Sequence, residues 1–404
     1  KSFGARMRDC HGGLRISRRM SVRREEYLDY MTFRGGGPIF KEFLGPFVGL
    51  REQWAVQGAS AAELDFSAFP FREPELFYVP VHMGFTGNFG DELIEETDEH
   101  VIGTDYFGRR MQLFKKTASL PLPLDYVVRN MDDWRRFKPS YEYRDDRFAD
   151  GWENAAIEAR RAGKVITVGI PGGFDEPRQL MGEEELCVAY YEQPELIHDM
   201  LGTMADCAIR AFERLARVVP VDELAVHEDM ASNHGPLAGP AQVREFMRPY
   251  FRRVWEFLAE KGARVFSMDS DGRVDDILEP LIECGLNVIG PMEPASGTDA
   301  VAARRRFGRR LAFFGTLDKF AVLRGPEAID KELEYRLPPL LAEGGCALSL
   351  DHRILPGTTL ANYRYYIRRA WEIIARETGC DVPVAAEALI GRGERKGKAD
   401  AREK

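Results

Sequence analysis

The chain predicts an α/β fold: a single (β/α)8 barrel of the TIM type, with an inserted β-hairpin and an N-terminal helical extension. Three observations carry this. Short apolar runs of four to seven residues alternate with longer amphipathic patterns, the alternation covers nearly all of the 404 residues, and most runs end in an acid or a histidine. The right-handed βαβ rule then collects every strand's carboxyl end on one rim. An open doubly wound sheet would need a glycine-rich phosphate loop after an early strand, and GIPGGF (169–174) lacks the G-x-G-x-x-G spacing.

In order, Arg23 to Phe33 opens the fold as a helix with Tyr27, Leu28 and Met31 on one face, and residues 35–75 mix GGGP with aromatic residues in no clear period. The apolar runs are FYVPVH (77–82), VITVGI (165–170), ELAVHEDM (223–230), RVFSMDSD (264–271), NVIGPME (287–293), LAFFGTLD (311–318) and CALSLDH (346–352). These are seven of the eight strands, with one unassigned. Residues 91–118, with YFGRRMQLFKK around a glycine, read as the inserted hairpin. Helices are expected over 184–219, divided at Pro194, and over 241–262.

The organisation is a basic disordered extension (1–20), the barrel (21–385) and a basic flexible tail (386–404), with Met20 a plausible native start. Net charge is −9, but residues 1–24 hold eight Lys/Arg against one Asp and residues 391–404 hold six against three acids. The body between carries 42 basic and 61 acidic residues, a net −19 that speaks against nucleic-acid binding. No apolar run reaches the roughly 18 residues a membrane span needs, so a cytoplasmic location is expected. Six cysteines without C-x-x-C spacing suggest neither a disulfide framework nor a zinc knuckle.

The stretch LSLDHRILPGTTLAN (348–362) is the strongest functional signal, a short strand that delivers Asp351, His352 and Arg353 to the rim. His352 alone could be a hydrogen-bonded core histidine. Other strand ends, however, supply His82, His227, Glu228, Asp229, Asp269, Asp271, Glu293 and Asp318. That many ionisable ends favour a shared polar cavity. Glu228 and Asp229 are adjacent and so face opposite ways; an inward, desolvated Glu228 would suit a general acid or base.

HRILPGT (352–358), followed by Asn362, resembles the HGI-x-P-x-T motif of the uroporphyrinogen decarboxylase superfamily, which includes tetrapyrrole decarboxylases and corrinoid-dependent methyltransferases. The likeness extends, in the same order, through 174–186, 227–251, 268–299 and 307–329. It implies a barrel open at the strand carboxyl ends. RRMSVRREEYLDYM does not match the RQAGRY-like arginine motif with which the decarboxylases grip propionates. The methyltransferase branch holds zinc with His-x-Cys and a later Cys, and the matching positions here are Asp269, Asp271 and His352. That harder donor set would suit Mn, Fe or a zinc-bound water.

Expected roles follow. His352, Glu228 and Asp269 are candidate catalytic groups; His82, Arg178, Asp229, Asp318 and Arg353 are candidate substrate contacts; Asp269, Asp271 and His352 are candidate ligands of a divalent metal. The resemblance implies methyl transfer between a small methylated substrate and a corrinoid carrier, free or protein-bound. Decarboxylation of a tetrapyrrole or other carboxylated ring is the alternative, and a noncatalytic ligand-binding barrel the third. The acidic body favours a substrate that is neutral, cationic, or carries at most one or two acids for Arg178 or Arg353 to meet.

Overall fold

The computed structural model describes residues 20–389, apart from 43, 117, 119 and 120. The extension up to residue 19 and the tail from 390 lie outside the described residues. In chain order the strands are β1 (Met20–Val22), β2 (Ile39–Phe40), β3 (Arg72–Pro74), β4 (Leu76–Tyr78), β5 (Leu93–Glu96), β6 (His100–Thr104), β7 (Arg110–Phe114), β8 (Leu122–Pro123), β9 (Val165–Ile170), β10 (Glu223–His227), β11 (Ala231–Ser232), β12 (Gly235–Pro236), β13 (Val265–Asp269), β14 (Val288–Gly290), β15 (Ala312–Phe314) and β16 (Cys346–Leu348). Strands β4, β9, β10, β13, β14, β15, β16 and β2 run parallel, each to the next, in that spatial order.

All seven expected strands are present, although β4 stops at Tyr78 just before Pro80, which has no N–H to donate to a ladder. The unassigned eighth is the two-residue β2, in the GGGP segment. Phe40 pairs antiparallel with Arg72 of β3, and only Glu75 separates β3 from β4, so the chain itself closes the ring. The expected hairpin is larger, a four-stranded antiparallel sheet β5-β6-β7-β8. The helical run after β9 breaks as expected, Glu183–Glu192 ending before Pro194–Leu215, where proline sits in the first turn and cannot continue the preceding helix.

Two apolar clusters follow from strand alternation. Outward side chains meet the helices in the main core, while Ile39, Val165, Val265, Val288, Ala312 and Ala347 point inward and converge. The opening helix, Arg24–Met31, closes the floor of the ring with Tyr27, Leu28, Tyr30 and Met31. Polar contacts seat it there: Arg24 on Asp222 at 2.7 Å, Arg264 on Asp29 at 2.7 Å, and the Tyr27 hydroxyl donating to Glu223 at 2.9 Å.

Phe40 is fully buried and its ring lies 5.5 Å from that of Phe71 and 5.8 Å from those of Tyr366 and Trp371. Phe40→Ala is expected to destabilise the protein by about 3–5 kcal/mol, read as a lower urea midpoint at unchanged slope. A loss below about 1 kcal/mol would mean that the two-residue strand does not anchor the ring.

Candidate active site

Barrels of this class are filled by layers of bulky inward side chains. Here the register sets Gly169 opposite Ala225 and Ala225 opposite Ser267, so the middle level lacks bulk on three adjacent strands. A bore of about 510 Å³ remains, walled by Ile39, Leu76, Tyr78, Val288 and Phe314 and opening upward at His227, Asp269 and Glu176.

His227 ends β10 at that mouth. Its Nδ1 lies 3.7 Å from Asp175 and its Nε2 3.7 Å from Asp229. The carboxylate of Asp175 raises its pKa to about 9. Asp269, its register partner on β13, is pushed up to about 6 by burial. Across the mouth, burial lifts Glu176 to about 7 although the Tyr141 hydroxyl donates to it at 2.6 Å. Asp229 takes φ +22°, a strained backbone for a residue with a side chain, as is common where a site fixes a group.

Asp175 and Glu176 reach the mouth because of the Pro171-Gly172-Gly173 turn, and that turn is organised by Glu228. Fully buried, Glu228 accepts backbone N–H bonds from Gly173 at 2.6 Å, Phe174 at 2.9 Å and Asp175 at 2.9 Å. A Cβ on Gly172 would stand 2.6 Å from Glu228 Oε2 and from the His227 carbonyl, so only glycine fits. Burial raises the Glu228 pKa to about 8. Its carboxyl faces this turn and is not among the groups lining the bore, so the inward placement on which a general acid or base role depended is not met.

A second ionic group lies beside the mouth. His352 Nε2 meets Asp271 at 3.1 Å, and this bond holds the imidazole pKa up against its burial. Behind it Glu293, Asp351 and His352 each offer an atom within 4.8 Å of the others, the one such three-residue donor set among the described residues. Lys319 already bridges it, with Nζ 3.1 Å from Glu293 and 3.0 Å from Asp351. An ammonium so placed neutralises both carboxylates, while His352 Nδ1, the third donor, is buried without a hydrogen-bond partner, so Glu293, Asp351 and His352 are the residues that would hold a divalent ion. The expected ligands Asp269, Asp271 and His352 do not converge as such a set: Asp271 and His352 meet, while Asp269 is the register partner of His227.

Of the expected substrate contacts, Asp229 is at the mouth beside His227. His82, Arg353 and Asp318 are engaged elsewhere. His82 Nε2 bonds the Phe85 carbonyl at 2.7 Å, and Arg353 donates to the Leu44 carbonyl at 2.8 Å. Asp318 caps the helix Lys319–Arg324 through the Phe320 N–H. Arg178 pairs with Asp175 and Glu183 and lies 4.0 Å from Asp229, so it stands at the mouth among these acids. Residue reading missed Asp175, Glu176, Lys319 and Glu223. The acid pair of FDEPRQLM directly after a Gly-Gly turn was the available signal for the first two.

His227 titration is a direct check of this geometry. Its folded pKa of about 9 lies above the free value, so its protonation stabilises the fold fully below about 6.5, an advantage lost as pH rises through 9. Asp175→Asn is expected to bring the His227 resonance midpoint down by at least one pH unit in an NMR titration. An unmoved midpoint would show that Asp175 does not hold the imidazole.

A family model for uroporphyrinogen decarboxylase (URO-D) matches residues 108–373. Curated uroporphyrinogen decarboxylases are distant: that of Rhodococcus jostii (strain RHA1) is 29% identical over 178 residues, 42% of this chain and 46% of the relative. That of Xanthomonas euvesicatoria pv. vesicatoria (strain 85-10) is 30% identical over 152 residues, 36% of this chain and 40% of the relative. The chain thus spans about half the length of the curated relatives it matches. Among solved structures, a methyltransferase from Methanosarcina mazei superposes with a TM-score of 0.53 at 17% identity, covering 87% of this chain and 98% of that one, a likeness of fold. With the family model matched over more than half of its length, the chain belongs to the uroporphyrinogen decarboxylase family.

Proposed function

We propose that this protein is a methyltransferase that takes a methyl group from a small neutral or cationic substrate held in the bore and passes it to a corrinoid carrier. The observation behind this reading is His227, an imidazole kept protonated between Asp175 and Asp229 at the mouth of a largely apolar bore. When a carbon–heteroatom bond to methyl breaks in a neutral donor, the heteroatom departs with the electron pair and needs a proton. A charged imidazole beside it is a general acid for that step. Asp269, next to His227 and half-titrated near pH 6, relays a proton from solvent to restore it. Asp271 and His352 form the second proton-carrying pair at the mouth.

A corrinoid, when bound, supplies a nucleophilic cobalt that accepts the methyl group. The chain offers flat surfaces for such a macrocycle. Phe89 and Tyr106 are 53% and 52% exposed and pack on Phe85, beside the Gly84 edge of the bore. No metal step enters this reading, and Lys319 neutralises the two carboxylates of the candidate donor set.

Decarboxylation of a carboxylated ring is the second reading, suggested by the names of the curated relatives. A polycarboxylate needs a receptor of like extent. The cations lining the bore among the described residues are Lys41 and protonated His227, while Arg147 is consumed by four backbone carbonyls and Arg109 by Asp105 and Gln179.

Methyl transfer is tested by mixing the protein with reduced cobalamin and a panel of methylated phenols and amines, following the cobalamin spectrum. His227→Gln is expected to slow methylation by about a hundredfold, and the wild-type rate to fall as pH rises through about 9, where His227 loses its proton. A rate within twofold of wild type removes His227 from the chemistry. With uroporphyrinogen as substrate no coproporphyrinogen is expected, and clear formation of it would favour the decarboxylase reading instead.

A further inference from the structure

The bore has a second polar end that the methyl-transfer step leaves unused. At its floor the buried Glu223 accepts from the Tyr27 hydroxyl at 2.9 Å and from the Ser267 hydroxyl at 2.5 Å. A carboxylate has about four lone-pair positions, and these bonds occupy two. Lys41 lines the same floor, its ammonium 5.4 Å from the centre of the Phe314 ring and its charge acting on Glu223. Thr167 is the register neighbour of both Glu223 and Tyr78 and so shares their face of the sheet. It is fully buried, and its hydroxyl has no hydrogen-bond partner.

Apolar side chains would close a barrel floor at lower cost than a carboxylate and an ammonium, whose dehydration is unfavourable unless they are matched. Glu223 and His227 are four residues apart on β10, roughly 13 Å along the strand, with small Ala225 between them. That leaves a passage with a polar group at each end and Tyr78, Leu76 and Phe314 among its walls.

We propose that this floor is the specificity subsite of the enzyme. A neutral hydrogen-bonding head, a hydroxyl or primary amide, donates to Glu223 and accepts from Lys41. A flat apolar body spans the middle, and the methylated end lies at His227. The head is neutral because Lys41 and Glu223 act on each other with opposite charges, and a net charge added beside them would meet one of them unfavourably. This proposal rests on the bore being the substrate site.

Titration calorimetry with para-methoxybenzyl alcohol and with para-methylanisole, which has the same outline without the hydroxyl, separates the subsite from the chemistry. The alcohol is expected to bind about tenfold more tightly, as one hydrogen bond to a charged group provides. Glu223→Leu and Lys41→Met should each abolish most of that preference while anisole binding persists. Should Glu223→Leu fail to fold, judged by circular dichroism, Lys41→Met decides. Equal affinity of the wild type for the two probes, no binding of the alcohol, or an unchanged preference in a folded variant overturns the subsite. A hydroxyl preference that depends on Glu223 and Lys41, found in a protein that methylates no corrinoid, sustains the subsite and overturns only the methyl-transfer reading.

Discussion

A carboxylate taken out of water must be met by a proton, a cation or a fan of N–H donors, and the upper half of this barrel is arranged around that requirement. Each solution occurs here. Glu228 takes the N–H groups of the 173–175 turn, Asp351 and Glu293 share Lys319, Asp175 and Asp229 flank His227, and Asp269 and Glu176 meet the cost by holding their protons to higher pH. The last two are useful for chemistry, because a carboxyl that titrates near neutrality both gives and takes a proton.

The same requirement divides the acids by task. Those matched by fixed backbone donors or by an ammonium cannot change partners without unfavourable desolvation, so they hold shape: Glu228 fixes the helix start that carries Asp175 and Glu176, and Lys319 ties β14 and β16 ends together. Those matched by the imidazole of His227 stand at the open mouth, where a ligand can intervene. The mouth thus rests on a rigid ionic layer, the support that a preorganised site needs.

Below that layer the bore stays open for a reason of size. Gly169, Ala225 and Ser267 occupy the level where such barrels carry branched side chains, and the N-terminal helix seals the bottom with Tyr27 and Met31. Arg147, Arg353 and Arg178 are turned onto carbonyls and acids of the protein itself, which leaves an apolar passage with isolated polar ends.

Much was legible in the residues themselves. Short apolar runs, most of them ending in acids or histidines, marked seven barrel strands, Pro194 marked a helix break, and the rim list already held His227, Asp269, Asp271, Glu293, Asp351 and His352. These features are local, and local chemistry is what a sequence displays. The two-residue β2 was hidden because pairing to β16, not propensity, makes Ile39–Phe40 a strand, and the hairpin became a four-stranded sheet for the same reason. Partner choice was equally out of reach. Glu228 turns to the 173–175 backbone and away from the bore, Lys319 enters between Glu293 and Asp351, and Glu223 reaches the floor beside Tyr27 from 196 residues away. The sequence by itself determined the barrel and which residues stand at its rim; tertiary structure decided which of them share a proton, which are neutralised and which face the ligand, because those outcomes depend on distances and desolvation between segments far apart in the chain.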